Sequence, residues 1–223
     1  PYHVHLSENQ NEVDGCIKQY GMTPVQHLHK LGVLNSDTLA AHCVILDETD
    51  IKILAENKVN VLHCIESNMK LASGLAPVQT LLDNKVNVCI GTDGSASNND
   101  VDMFGEMSSV AKVHKGFHLD PTIVSGETTV KMATVNGAKA LGVSTEIGTL
   151  EVGKKCDCIV IDMNQPHLTP CYNVISHLAY AVRGGDVIHS VINGQMVMKN
   201  RELLTIDIEK VISEMNRFAA DVR

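Results

Sequence analysis

Four short apolar segments separated by helix-length stretches constrain this chain more than any other feature. The strands are read at Tyr2–His5, Thr38–Ile45, Val59–Cys64 and Val86–Ile90. Between and before them the spacing of apolar residues predicts helices over Asn9–Tyr20, Pro24–Leu31, Glu48–Asn57 and Pro77–Asn84. Strands that alternate with helices are joined by crossovers, and crossovers pair strands in parallel. The expected core is therefore α/β, a parallel sheet covered by helices. The fourth segment, VNVCI, is a near-continuous apolar run of the kind buried on both faces.

Two longer helices are expected at Val101–Lys115 and Glu127–Leu141, the second ending at Gly142. Beyond Gly142 the pattern changes. GTLEVGKKCDCIVIDM predicts two short strands about a Gly-Lys turn, and HSVINGQMVMKNREL predicts two more about Asn193-Gly194, a hairpin signal. A helix over Asn173–Val182 is assigned back to the first domain, and Ile206–Val222 to a closing amphipathic helix. The expected division is a parallel α/β domain over residues 1–145 and antiparallel strands over 146–166. A domain-one helix within 167–182, a hairpin within 183–204 and a terminal helix within 205–223 follow.

Composition narrows the function. A net charge of -8 disfavours a binder of phosphate backbones, and aromatics at 3% with no Trp disfavour base-stacking platforms. No apolar run is long enough to span a bilayer. Seven cysteines at irregular spacing suit small buried residues of a reduced, cytoplasmic protein. Cys156-x-Cys158 has no second pair, so a zinc knuckle is not expected. Pro1 leads straight into a strand, so the beginning of the protein is expected to lie elsewhere.

Chemistry-bearing side chains fall at or near the carboxyl ends of all four strands: His3 and His5 with Glu8 just beyond, His42, His63, and Asp93 between Gly91 and Gly94. Barrel enzymes place catalytic groups at such positions. Asp93 alone could equally cap a helix, and His42 or His63 alone could be a hydrogen-bonded core histidine. Together they fit a divalent metal site with a coordination position left open.

HVHLSE, AAHCVILDE, SNMKLASGLAPV, GTDGSASNNDVDMFGEM, ATVNGAKALG and IGTLEVGKKCD follow one another in an order that resembles the amidohydrolase superfamily. Within it they are most similar to the 5-methylthioadenosine/S-adenosylhomocysteine deaminases. The resemblance implies a (β/α)8 barrel with a small β-sandwich, and one metal held by an H-x-H pair on strand one, a His on strand five and an Asp on strand eight. Only 88 residues separate His5 from Asp93, whereas eight βα units need about 250. The family pattern thus assigns the chain to strands five to eight of the barrel plus the C-terminal strands of the sandwich. His5 becomes the strand-five metal ligand, His42 the strand-six histidine, His63 the strand-seven histidine and Asp93 the strand-eight ligand.

By resemblance the metal is zinc, with iron or another divalent ion as alternatives, and the substrate a small adenine nucleoside. Asp93 would accept a proton from the attacking water, His42 would orient that water, and Glu8 would protonate the purine ring. Glu8 and Asp93 would both touch substrate, with His63, Ser67 and Asn68 in supporting positions. Neither the H-x-H pair of strand one nor the arginines expected to bind substrate are present. Where relatives carry N-P after the strand-seven His, this chain has Cys64-Ile65-Glu66. Two alternatives stay open: a sibling hydrolase acting on guanine, a triazine or another aminated ring, and an inactive half-barrel needing its other half. Half-barrel edges would in turn favour homo-oligomers or other association.

Overall fold

The structure, a computed structural model, describes residues 1–222. Strands β1 (Tyr2–Leu6), β2 (Thr38–His42), β3 (Asn60–His63) and β4 (Asn87–Ile90) form one sheet in that order, and every neighbouring pair is parallel. Ala40, Val61 and Val88 stand in register on one face and are fully buried in the main core. By strand alternation the row His5, Ala41, Leu62 and Cys89 occupies the other face.

Helices α1 (Gln10–Tyr20), α2 (Pro24–Lys30) and α3 (Glu48–Glu56) make the first crossovers. Each start is written in the sequence. The Asn9 side chain accepts from Glu12 N, Thr23 accepts from Gln26 N with Pro24 in the first turn, and Asp47 and Asp50 form a capping box. Such caps are worth about 1 kcal/mol each. Then come α4 (Ile65–Lys70), α5 (Val78–Asp83), α6 (Ser95–Asn98), α7 (Met103–His118), α8 (Gly126–Ala133) and α9 (Val135–Ala140).

Several expectations change. The second strand stops at His42 instead of running to Ile45, because His42 (φ 72) and Cys43 (φ 48) turn left-handed. The helix expected over Glu127–Leu141 is broken at Thr134 (φ -129, ψ -91), giving α8 and α9. The helices α4 and α6 were not expected. Both are short, and α4 buries Ser67 and Asn68.

The second sheet, β5 (Cys158–Ile161), β6 (Val187–Ile192), β7 (Gln195–Lys199) and β8 (Glu202–Leu203), is antiparallel in sequence order. The hairpin about Asn193 (φ 50) and Gly194 (φ 76) forms as expected, with the two positive φ values that such a two-residue turn requires. The strand expected ahead of Gly153-Lys154 does not form; that stretch is turns, with Gly148 and Gly153 both at φ +97. The helix α10 (Val174–Tyr180) packs on α7 and α8. The closing helix α11 spans Ile208–Asp221, within the expected Ile206–Val222, and only the last residue of the 205–223 segment lies outside the described residues. An apolar groove of about 660 Å³, lined among others by Met103, Phe104, Met107, Leu150 and Ile159, runs between α7–α9 and β5. No helix among the described residues is long and apolar enough to cross a membrane.

Candidate metal and active site

Three of the expected residues converge. Ligand atoms of His5, His42 and Asp93 all lie within 4.8 Å of one another, and the His5 and His42 rings meet edge to face with centroids 5.1 Å apart. β1 and β4 are the two ends of the sheet, which in a flat sheet would stand roughly 14 Å apart at about 4.8 Å per strand. Meeting across that span requires the sheet to curl, with the His5 face on its concave side.

Left-handed residues turn the strand ends into the site. On alternation alone His42 would share the helix-facing side with Ala40; its φ of 72 swings it out of that row. Ser7 (φ 51) and Asp93 (φ 60) leave β1 and β4 in the same way. Non-glycine residues held there carry strain, a common mark of functional positions.

His42 is 1% exposed, and its Nδ1 lies 2.8 Å from Asn68 Oδ1. A carbonyl oxygen only accepts, so Nδ1 carries the proton and Nε2 presents its lone pair to the cluster. Glu8 Oε2 stands 4.0 Å from that Nε2, and Ser73 Oγ donates to Glu8 Oε1 at 3.4 Å. The next residue, Gly74 (φ +120), packs against Val44, whose Cγ1 a Cβ there would meet at 2.9 Å. Asp93 Oδ2 accepts from both Ser67 Oγ and Ser97 Oγ at 2.6 Å. Burial works to raise its pKa, but the two serines, the Gly94 amide and His42 outweigh that and hold it down at about 2. An ionised carboxylate beside two imidazoles suits zinc or iron, so the donor set fits the divalent metal that the family pattern implies. Among the described residues no other three His, Cys, Asp or Glu side chains gather this way.

His63 is not part of the cluster. It continues the helix-facing row of Val61, and its Nε2 lies 3.0 Å from Nε2 of His114 on α7. Both rings are fully buried, and neither Nδ1 has a partner. Burial first, then His114 and His42, lowers the His63 pKa to about 3.

Three contributors escaped the sequence reading: Ser73, Ser97 and Glu12. Glu12 accepts from the backbone amides of Ser7 (2.9 Å) and Glu8 (2.7 Å), pinning the loop that carries Glu8. Its place in the first turn of α1, four residues after Glu8, was the available signal.

The amidohydrolase family pattern matches residues 1–197. The chain is 51% identical, over its full length, to a 5-methylthioadenosine/S-adenosylhomocysteine deaminase of Syntrophobacter fumaroxidans, of which it covers 51%. It is 48% identical to a 5'-deoxyadenosine deaminase of Methanosarcina acetivorans over 99% of its own length and 50% of the relative's. The crystal structure of an adenosine deaminase from Xanthomonas campestris with bound zinc superposes with a TM-score of 0.97 at 38% identity, covering all of this chain and 51% of that one. The chain thus spans about half the length of the relatives it matches. With 197 of its 223 residues matched and a curled parallel sheet bearing His5, His42 and Asp93 on one rim, this chain belongs to the amidohydrolase family.

Proposed function

We propose that these residues form the second half of a (β/α)8 barrel, strands five to eight, with the later strands of a β-sandwich at 146–166 and 183–204. The enzyme they belong to hydrolyses the amino group of an adenine nucleoside such as S-adenosylhomocysteine, 5'-methylthioadenosine or 5'-deoxyadenosine. The observation that carries this reading is the convergence of His5, His42 and Asp93 within 4.8 Å, with Glu8 4.0 Å from His42. The relatives' names supply the substrate class.

His5 and Asp93 would hold a divalent cation, zinc by likeness to the zinc-bound neighbour. Such a cation, when bound, supplies Lewis-acid activation of water, lowering its pKa toward about 7. Asp93 takes the proton of the attacking water. His42, its tautomer fixed by Asn68, accepts a hydrogen bond from that water through Nε2 and aims it. Glu8 gives a proton to the ring nitrogen next to the amino-bearing carbon, making that carbon electrophilic. Water adds there, Asp93 passes its proton to the amino group, which leaves as ammonia, and the new hydroxyl gives its proton back to Glu8 to leave the inosine analogue. Two cation ligands fall short of the three that catalytic zinc sites use. The remainder would come from polypeptide equivalent to the half of the relatives that this chain does not match. Ser67 and His63 act in support, Ser67 on Asp93 and His63 in the packing beneath. All seven cysteines are free, which fits a reducing, cytoplasmic setting.

The test is ammonia release by the assembled enzyme from S-adenosylhomocysteine, 5'-methylthioadenosine, 5'-deoxyadenosine and guanine. Adenine nucleosides are expected to react, and Glu8→Gln and Asp93→Asn each to lose at least about 100-fold in kcat. Turnover of guanine alone, or wild-type rates in both variants, would sink the proposal.

A further inference from the structure

Two thiols outside this site meet at the entrance to the antiparallel sheet. Cys158 opens β5, paired with Val191, and Cys156 lies two residues earlier. Their Sγ atoms are 3.9 Å apart. The backbone beneath them is held by the neighbouring hairpin: Gly194 N donates to the Cys156 carbonyl at 3.0 Å, and Asn193 N donates to the Asp157 carboxylate. Asp157 N donates in turn to the Lys155 carbonyl at 3.0 Å. The pair is therefore arranged before any ligand arrives, which lowers the entropic cost of binding. Cys156 is exposed and Cys158 half-buried, so neither serves as the small core residue that a free cysteine usually is.

The separation selects a chemistry. A disulfide needs its sulfurs about 2.05 Å apart, so this pair would have to close by about 1.9 Å. A tetrahedral cation with metal–sulfur bonds of about 2.3 Å sets neighbouring sulfurs about 3.8 Å apart, close to the 3.9 Å observed. We propose that Cys156 and Cys158 form a chelating dithiol for a thiophilic divalent cation of the zinc or cadmium class, with solvent completing the shell on the exposed side of Cys156. Binding replaces two S–H bonds with two S–metal bonds, releases two protons to solvent and changes no oxidation state. Two protein ligands are fewer than a closed structural zinc site uses, so the cation is exchangeable. The site differs in kind from the His5–Asp93 cluster, which offers only nitrogen and oxygen.

Titration of the reduced protein with cadmium, read by the ultraviolet sulfur-to-cadmium charge-transfer band, tests this without reference to catalysis. The band is expected to saturate at one cation per chain. It should persist in His5→Ala and in Cys171→Ser, which removes another exposed thiol, and vanish in Cys156→Ser. Because Cys156 is exposed, its replacement leaves the fold intact, which circular dichroism checks; Cys158→Ala provides the second variant. No band, a band unchanged in Cys156→Ser, or a mass lower by two hydrogens with no cadmium bound would each overturn the proposal, the last by showing a disulfide instead.

Discussion

Glu12 shows how much of this site depends on a side chain with no chemical part of its own. Both its oxygens are committed to backbone amides, those of Ser7 and Glu8. Glu12→Gln replaces one acceptor with a donor that faces an N–H, leaving an amide unsatisfied at a cost of about 1–3 kcal/mol. Denaturant unfolding should register that loss, and Glu12→Asp should recover less than wild type because its reach is shorter. Asn68 has a comparable position behind His42. Asn68→Leu removes the acceptor that fixes the imidazole tautomer, and losses of about 10–100-fold are typical of such supporting residues. Steady-state rates of the assembled enzyme check this, and an Asn68→Leu enzyme as fast as wild type would contradict the role given to Nδ1. His5, Glu8, His42 and Asp93 were legible in the sequence because strand ends and family motifs mark them. Ser73 and Ser97 were not, because hydrogen bonds across loops leave no periodic trace, and the place of Glu12 in the first turn of α1 marks it only as a helix-start carboxylate.

The helix α7 carries two ionisable groups that the fold holds neutral. Burial first, then the Glu66 carboxylate, pushes Glu106 up to about 8, even though Asn98 Nδ2 donates to it at 2.7 Å. Burial, with His118 and Lys115 adding to it, lowers His114 to about 4, and its partner His63 on β3 sits at about 3. The signs are opposite. Between about 4 and 6.5 the unfolded histidines bind more protons than the folded ones, so stability rises with pH there. Between about 4.5 and 8 folded Glu106 keeps a proton that the unfolded chain has lost, so its contribution falls as pH rises. Two histidines outweigh one glutamate in the acid range, and these groups together place the stability maximum near pH 6.5. Urea midpoints measured across pH should show that maximum, and Glu106→Gln should remove the decline on its alkaline side. A Glu106→Gln protein with the wild-type profile would contradict the buried proton. The strands were legible because apolar runs between helix-length spacers leave few alternatives. α4, α6 and the break at Thr134 were hidden, since each turns on a few residues whose packing partners lie far off in sequence. His63 was placed near the site by its position at a strand end, whereas alternation from Val61 directs it to α7.

β1 and β4 each have a single neighbour in the sheet, and α11 exposes a stripe of Ile208, Val211, Ile212, Met215 and Phe218. Together with the apolar groove beside β5, these surfaces are hazards for edge pairing. The 223-residue chain on its own is expected to associate, and polypeptide equivalent to the unmatched half of its relatives should suppress that association. Sedimentation velocity with and without that polypeptide is the measurement; a compact monomer at every concentration would contradict it. The α/β class and the change to antiparallel strands after Gly142 were legible in the sequence. The curl of the sheet followed only from the resemblance to a barrel family, because it is a property of how strands twist together and no single residue specifies it. That curl also has a temporal side. His5 and Asp93 end up within 4.8 Å, yet a ribosome delivers them 88 residues apart, a delay of roughly 4–18 s at ordinary synthesis rates. A nascent chain therefore has no cluster to offer until its fourth strand has docked.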